Sequence, residues 1–181
     1  MMQIKLFSSQ YKIHRLTDQN IDEIYHLLSK NVLYYEYCPP FVTRESIRED
    51  MKILPPGKEQ KDKYYIGFYQ DEKLIAVMDF IDGYPEKGIA YIGFFMTDTS
   101  LQNRGVGTAI IDDLCRYLTE LGYHSVRLAW VKGNPQSEHF WLKNGFVQLR
   151  ETTSNAADEV ILAEKMLEKN SGGIHMTEVQ I

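Results

Sequence analysis

Apolar residues recur along this chain in two periods, and each period predicts one kind of element. Alternation of period two predicts strands, because neighbouring strand side chains point to opposite faces of a sheet. Seven such runs span residues 11–16, 64–69, 73–81, 89–97, 125–132, 146–151 and 159–167. Short links between the second, third and fourth runs predict an antiparallel meander.

Helical spacing predicts four helices among these strands. The first begins after Thr17, the second covers residues 44–53, the third covers residues 105–121, and the fourth runs from Asn134 to Asn144. The order βααβββαβαββ predicts an α+β fold with a mixed central sheet of about seven strands and flanking helices. We expect the strand–helix–strand portion over residues 89–132 to be parallel and right-handed.

Length and composition limit the domain count and the class of protein. The 181 residues, 44% hydrophobic and 25% charged, are typical of a globular chain. We expect one domain over residues 1–167 and a polar tail over residues 168–181, with residues 174–181 packed on the domain or on a neighbouring molecule. The net charge of −5, without a basic stripe, disfavours a nucleic-acid partner.

Neither a membrane segment nor a metal site is indicated. The longest apolar run, residues 89–96, is far below the roughly 20 residues that span a bilayer. We therefore expect a cytoplasmic protein. Cys38 and Cys115 lie far apart, and the histidines show no metal-ligand spacing, so we expect no metal.

The most informative motif is QNRGVG at residues 102–107, which leaves a predicted strand and opens a predicted helix. Backbone N–H groups at a helix N-terminus, left uncovered by glycine, form a cradle that suits a pyrophosphate. A glycine turn that merely starts the helix is the alternative. A dinucleotide fingerprint would need a third glycine at Ile110, so NAD enzymes are disfavoured.

A second motif lies about thirty residues further on. Asn134 opens a helix that ends in FWLKNGF at residues 140–146. Together with QNRGVG and the element order, this pair resembles the GNAT family of N-acetyltransferases over residues 11–167. The resemblance implies acetyl-CoA as co-substrate, with its pyrophosphate on the amides of residues 104–108 and its pantetheine arm along residues 95–97.

The resemblance also implies contacts from several side chains. Gln102 and Arg104 would flank the phosphates, and Asn134 would contact the pantetheine arm, although this asparagine could simply cap its helix. The full set of implied cofactor-binding residues is Phe95, Met96, Thr97, Gln102, Asn103, Arg104, Gly105, Val106, Gly107, Thr108, Asn134 and Trp141.

The sequence departs from the family pattern at both proton-transfer positions. Trp141 stands where many relatives have a tyrosine that protonates the departing thiolate, and indole cannot supply a proton at ordinary pH. Residues 91–95, where many relatives place a carboxylate, contain none. We expect Trp141 to form an apolar wall at the thioester end of the cofactor.

The general base must then come from another element. Asp79 interrupts an apolar row with Ile75, Val77 and Ile81, and a buried carboxylate has a raised pKa suited to proton abstraction. A structural ion pair is the alternative reading. Glu36, among tyrosines in residues 34–37, is the second candidate, unless those tyrosines are solvated.

These residues predict an N-acetyltransferase that transfers acetyl directly from acetyl-CoA to a primary amine of a small molecule or peptide, in a ternary complex. A catalytically silent acyl-CoA-binding or regulatory domain is the rival, motivated by Trp141 and by the missing carboxylate. A protein-interaction module is a third reading. The acceptor is open among polyamines, amino acids, antibiotics and protein N-termini, and the pattern leaves a homodimer open.

Overall fold

A computed structural model describes residues 2–154 and 158–168, so all of the predicted tail except residue 168 lies outside the described residues. Seven strands form one sheet. They are β1 (Lys12–Arg15), β2 (Lys63–Gln70), β3 (Lys73–Ile81), β4 (Ile89–Thr97), β5 (Ser125–Val131), β6 (Val147–Thr153) and β7 (Glu159–Met166).

Five helices join these strands in the described part of the chain. They are α1 (Ile21–Leu28), α2 (Val32–Tyr37), α3 (Arg44–Asp50), α4 (Val106–Glu120) and α5 (Pro135–Lys143). Helix α2 was not predicted, because its tyrosines show no helical periodicity. Asn31 caps it by accepting a hydrogen bond from the backbone N–H of Tyr34. The observed order βαααβββαβαββ therefore has one helix more than the sequence predicted.

The strand order is β1-β2-β3-β4-β5-β7-β6. Strands β2, β3 and β4 form the predicted antiparallel meander, and β1 pairs antiparallel with β2. Strand β4 pairs with β5 in parallel, as expected from the intervening helix. The remaining pairs, β5 with β7 and β7 with β6, are antiparallel. The fold is thus α+β with a mixed seven-stranded sheet, as predicted.

The sheet separates two hydrophobic cores. One core packs the sheet against α4 and α5 and includes Ile110, Leu114 and Trp141. The other packs the meander against α1 and α3, through Ile24 and Ile47. On this second face the described helices cover mainly the β1–β4 half of the sheet. The half formed by β5, β7 and β6 is left accessible beside them.

Strand β3 departs from simple alternation at Ile75. The register against β2 shifts there, so that Ala76 faces Phe68 while Leu74 faces Tyr69. Ile75 packs in the core with α4, whereas Val77 packs in the core with α1. The expected row of Ile75 and Val77 on one face is therefore wrong, because a bulge adds one residue to the strand.

Strands β4 and β5 pair only over their first halves. The parallel register runs from Ile89 opposite Ser125 to Ile92 opposite Leu128 and ends there, although both strands continue. A second bulge coincides with this end, since Phe80 faces Ile92 while Asp79 faces Phe94, which leaves Gly93 as the extra residue. A bulge bends its strand, so it helps to part β4 from β5.

Helix α4 begins at a left-handed glycine and packs closely against α5. Gly105 precedes the helix with φ of 80°, a conformation that side chains rarely adopt. Gly107 is buried, and a Cβ there would lie 2.9 Å from Cε2 of Phe140 on α5. Gly107 thus serves helix packing as well as the loop, and its substitution is not a clean test of cofactor binding.

We expect Gly107→Val to lower the free energy of unfolding by about 1 to 3 kcal/mol, because the Phe140 ring is held between Phe95 and Trp141 and cannot move aside without strain. Urea unfolding measures this loss. Adding Phe140→Leu should recover part of it, and Thr108→Val, one position along the helix, is the control. An unchanged midpoint in Gly107→Val would contradict this packing.

Candidate active site

Two cavities meet where β4 and β5 part. The wide one, about 730 Å³, lies on the second face of the sheet, and the narrow one, about 240 Å³, lies in the gap between the strands. Tyr34, Cys38, Gly93 and Phe94 line both. These residues mark the junction, which is the place where groups bound in the two cavities would touch.

The narrow cavity is bounded by strand backbone on two sides and by α5. Phe95 and residues 129–131 form its strand walls, and Ser137 and Trp141 form its helix wall. Past Ile92, the edge of β4 that faces β5 has no strand partner. Its backbone N–H and C=O groups therefore require partners from water or a ligand.

The outer approach to this gap is the QNRGVG loop. The 3₁₀ turn Thr99–Leu101 leads into it, and Asn103 and Gly105 both have positive φ, which bends the backbone over the start of α4. Arg104 is exposed, and the first N–H groups of α4 have no carbonyl partner within the helix. A helix start of this kind beside an exposed cation can bind an anion, and residues 102–108 themselves line neither cavity.

A chain of side-chain amides ties this loop to α5 and α2. Gln102 donates from Nε2 to the carbonyl oxygen of Thr97 over 3.4 Å and accepts from Gln136 Nε2 over 3.3 Å. Gln136 in turn accepts from Asn31 Nδ2 over 3.0 Å. The predicted cofactor residue Gln102 therefore also fixes the loop against the strand end and the helix start.

Asn134 caps α5, which is the alternative that the sequence left open for it. It is fully buried, and its Oδ1 accepts hydrogen bonds from the backbone N–H groups of Gln136 and Ser137, which makes it the cap of α5. Its Nδ2 lies 4.0 Å from Sγ of Cys38 at the junction of the cavities. Asn134 thus anchors the helix and contacts Cys38, but it is not among the described residues that line either cavity, and its contact with a pantetheine arm stays a prediction.

Along the end of β4 the predicted residues point in different directions. The Phe95 side chain lines the narrow cavity and packs on Trp141, whereas Met96 is buried in the core with α1. Thr97 offers its backbone carbonyl to Gln102. Met96 could therefore contact a ligand only through its backbone.

Asp79 lines the wide cavity beside Gly93, with its side chain 14% exposed, and carries an ion pair. Lys63 donates from Nζ to Asp79 Oδ2 over 2.7 Å and to the carbonyl oxygen of Ile53 over 2.9 Å, and the Lys63 side chain is only 2% exposed. Asp79 Oδ1 is buried without a hydrogen-bond partner among the described residues. Burial raises the pKa of the Asp79 carboxyl, and the Lys63 ammonium opposes that rise.

Gly93 makes room for this carboxylate. A Cβ on Gly93 would lie 2.9 Å from Asp79 Oδ2, so the bulge in β4 has a residue without a side chain where Asp79 approaches. Sequence patterns did not indicate the bulge.

Asp50 is a second carboxylate of the wide cavity, and sequence reasoning missed it. It is exposed at the mouth of the cavity, but protein flanks its carboxyl on the cavity side. This partial burial and the negative charge of Asp79 raise the pKa of Asp50, whereas the positive charge of Lys63 lowers it. The resulting pKa of Asp50 is about 6. Its place at the end of a short polar helix gave no signal of this role.

Of the remaining predicted catalytic residues, one reaches the site and one does not. Trp141 is 7% exposed, lines the narrow cavity and packs on Phe140 and Phe146, with ring centroids 4.8 and 5.1 Å away. Glu36 is exposed on α2 and is not among the described residues that line either cavity. The structure does not bring Glu36 to the candidate site.

Tyr34 is a further residue of the junction, and no sequence pattern singled it out. It lines both cavities and packs edge-on against Phe94, with ring centroids 5.9 Å apart. Burial raises the pKa of its hydroxyl well above the usual value, and the neighbouring Cys38 adds to that rise. Its phenol therefore holds its proton at neutral pH.

A family model described as the acetyltransferase (GNAT) family matches residues 22–146. This is more than half of the chain, and the chain belongs to the GNAT acetyltransferase family. The match includes the parted strands, the QNRGVG loop and α5. No curated protein matches this sequence.

Solved GNAT structures have the same fold. AAC(6')-Ib, in complex with ribostamycin and coenzyme A, superposes with a TM-score of 0.67 at 13% identity, covering 87% of this chain and 94% of that one. A chimera of spermidine N-acetyltransferase SpeG from Vibrio cholerae and hSSAT gives 0.63 at 19%, covering 88% and 96%. The ribosomal-protein-S18-alanine N-acetyltransferase from Escherichia coli gives 0.61 at 13%, covering 91% and 99%.

Within residues 2–154 and 158–168, no helix is both long and apolar enough to cross a membrane. No three His, Cys, Asp or Glu side chains in that part lie together in a way that could hold a metal ion.

We expect Asp79→Asn to lower the free energy of unfolding by about 3 to 5 kcal/mol, because it leaves the buried Lys63 ammonium without a carboxylate. Lys63→Met combined with Asp79→Asn should lose less than the sum of the two single changes, as urea unfolding of all four proteins will show. Lys12→Met, which breaks an exposed pair with Glu72, should change stability little. Additive losses would mean that the ion pair does not couple the two residues.

Proposed function

We propose that this protein is an N-acetyltransferase that transfers acetyl from acetyl-CoA directly to a primary amine of a small molecule or peptide. The observation that carries the proposal is the meeting of the two cavities at the point where β4 and β5 part. A cofactor arm in the narrow cavity and an amine in the wide cavity would meet at Gly93 and Phe94. Direct transfer in a ternary complex needs such a meeting.

The residues of this chain fit acetyl-CoA. The cradle at the start of α4, with Arg104 beside it, suits the pyrophosphate, and the unpaired edge of β4 past Ile92 suits the amides of the pantetheine arm. Coenzyme A in the structure of AAC(6')-Ib, a protein of the same fold, supports this assignment. When bound, acetyl-CoA supplies a thioester carbonyl that an amine can attack.

The amine would enter the junction from the wide cavity. Its nitrogen forms a bond to the acetyl carbon, the bond from that carbon to sulfur breaks, and the nitrogen loses one proton. We assign the proton to Asp79, directly or through a water, since its carboxylate lies beside Gly93 at the edge of the junction and Lys63 holds it in place. Backbone N–H groups on the unpaired edge of β4 are placed to stabilise the negative carbonyl oxygen.

The departing thiolate needs no side-chain acid in this scheme. A thiol has a pKa of about 8.5, so its thiolate leaves without prior protonation more readily than an alkoxide would. Trp141 packs among Phe95, Phe140 and Phe146 and acts as an apolar wall of the narrow cavity.

The rival is a silent acyl-CoA-binding domain, favoured by Trp141 in place of tyrosine. The deciding experiment measures thiol release from acetyl-CoA with a panel of polyamines, amino acids, aminoglycosides and short peptides, and product mass by mass spectrometry. Acetyl-CoA at 100 times its dissociation constant should stabilise either an enzyme or a silent binding domain by about 2.7 kcal/mol, whereas a chain that binds no cofactor would show no stabilisation. Binding without release for every amine would favour the silent domain.

The two carboxylates should contribute differently to turnover. We expect folded Asp79→Asn to lose about 10² to 10⁴ in kcat, whereas Asp50→Asn stays within about tenfold. In the wild type, kcat/KM for the amine should fall on the acidic side, because ionised Asp79 is the active form and burial raises its pKa above the usual value. Asp50→Asn should move this acidic limb to lower pH, since it removes a like charge near Asp79.

The control for this pH profile is Glu45→Gln, which changes an exposed carboxylate on the same helix. It should leave the acidic limb in place. A loss beyond a hundredfold in Asp50→Asn, with Asp79→Asn near wild type, would reassign the proton to Asp50.

Trp141→Phe should keep turnover at saturating acetyl-CoA and amine within about tenfold, because a true general acid would be worth 10² to 10⁴ and packing alone mainly affects binding. Steady-state kinetics on a variant with verified folding measures this. A larger loss would show that the indole does more than pack. Tyr34→Phe is the matched variant, since Tyr34 is a phenol at the junction, whereas Tyr91 lines only the wide cavity and Tyr123 is bonded to Asp82.

A further inference from the structure

The wide cavity carries opposite charges on its two sides. On the β2–β3 side lie the carboxyl groups of Asp50 and Asp79 and the single ammonium of Lys63. When both carboxyl groups are ionised, these three side chains together have an excess of one negative charge. On the β5–β6 side lie two arginines, Arg127 and Arg150.

The arginine side has an excess of one positive charge. Arg127 donates from Nε to Oε1 of Glu164 over 2.8 Å, which neutralises it. Arg150 is exposed on β6 and has no carboxylate within 4.0 Å among the described residues. It is therefore the cation of this wall that is left to meet an anion from solution.

The strand register places Arg150 in line with the junction. Arg150 faces Leu162 on β7, Leu162 faces Ala129 on β5, and Ala129 follows Leu128, the last β5 residue paired with β4. Two strand spacings, about 10 Å, thus separate the backbone of Arg150 from β5, and β4 lies across the gap beyond. Leu162 and Ala129 form an apolar floor between the two charged sides.

We propose that the acceptor amine carries an anionic group, a carboxylate or a phosphate, on the same molecule. Its ammonium would bind beside Asp50 and Asp79 and lose a first proton to solvent, which gives the neutral amine that attacks and then loses the second proton to Asp79. Its anion would bind Arg150, and its carbon skeleton would lie over Leu162. This inference rests on the proposed function and narrows its substrate class. It disfavours polyamines, whose second charge would face an arginine.

The test compares matched amines with and without the anion. Amino acids with two to six carbons between nitrogen and carboxyl carbon are compared with their methyl esters, and O-phosphoethanolamine with ethanolamine. At least one anionic amine should exceed its neutral partner tenfold or more in kcat/KM. The carboxylate and phosphate pairs show which anion is preferred.

Arg150→Gln should raise KM for the preferred anionic amine about tenfold or more and leave kcat and the neutral partner unchanged, because a charge-assisted hydrogen bond is lost. Arg150→Lys should recover part of this affinity. Lys12→Gln, which removes an exposed cation at the opposite edge of the sheet, is the matched control.

Calorimetric binding of the same amines in the presence of CoA gives a readout that needs no turnover. Acetyl transfer to neutral and anionic amines with equal efficiency, or binding unaffected by Arg150→Gln, would overturn this inference and leave the transferase proposal standing. If no amine is acetylated but anionic amines bind through Arg150, the transferase proposal fails and the charged cavity is a binding site.

Discussion

The parting of β4 from β5 is the constraint on which the site depends. Parallel strands normally satisfy each other's backbone groups, yet here the ladder stops at Ile92 and Leu128 while both strands continue. The bulge at Gly93 bends one strand, and β7 keeps the other paired as far as Val131. The gap therefore has rigid walls and unsatisfied backbone groups, which is the combination that binds an amide-containing arm without any special side chain.

The same bulge brings a buried charge to the edge of the gap. Gly93 admits the Asp79 carboxylate, and Asp79 in turn compensates the charge of Lys63, which is almost fully buried beneath the cavity. A buried ion pair contributes little net stability, because desolvation offsets most of its attraction. Its value here is positional: Lys63 holds the Asp79 carboxylate fixed beside Gly93, and Oδ1 is left without a hydrogen-bond partner among the described residues.

The departures from the family pattern become consistent in this arrangement. A carboxylate on β4 is replaced by one that reaches the same junction from β3, across the bulge. Trp141 stands on α5 in the helix wall of the narrow cavity, and the phenol of Tyr34 on α2 lines both cavities. The side chains around the site thus come from elements other than those that the family pattern predicts, while the backbone geometry of the fold is retained.

Local patterns were sufficient for the elements and the cofactor loop. Period-two and helical spacing predicted all seven strands and four of the five helices, and QNRGVG with Asn134 indicated the family, because caps, glycine turns and amphipathic faces are properties of neighbouring residues. The acceptor side was decided only by tertiary structure. Four separate elements contribute its residues Asp50, Lys63, Tyr34 and Arg150. The two bulges, at Ile75 and Gly93, determine which face of the sheet the neighbouring side chains occupy, and the hydrophobic pattern gives no sign of them. Glu36 had a plausible composition around it, but helix α2 turns it to solvent, since which side of a short helix faces a cavity depends on the packing of the whole sheet.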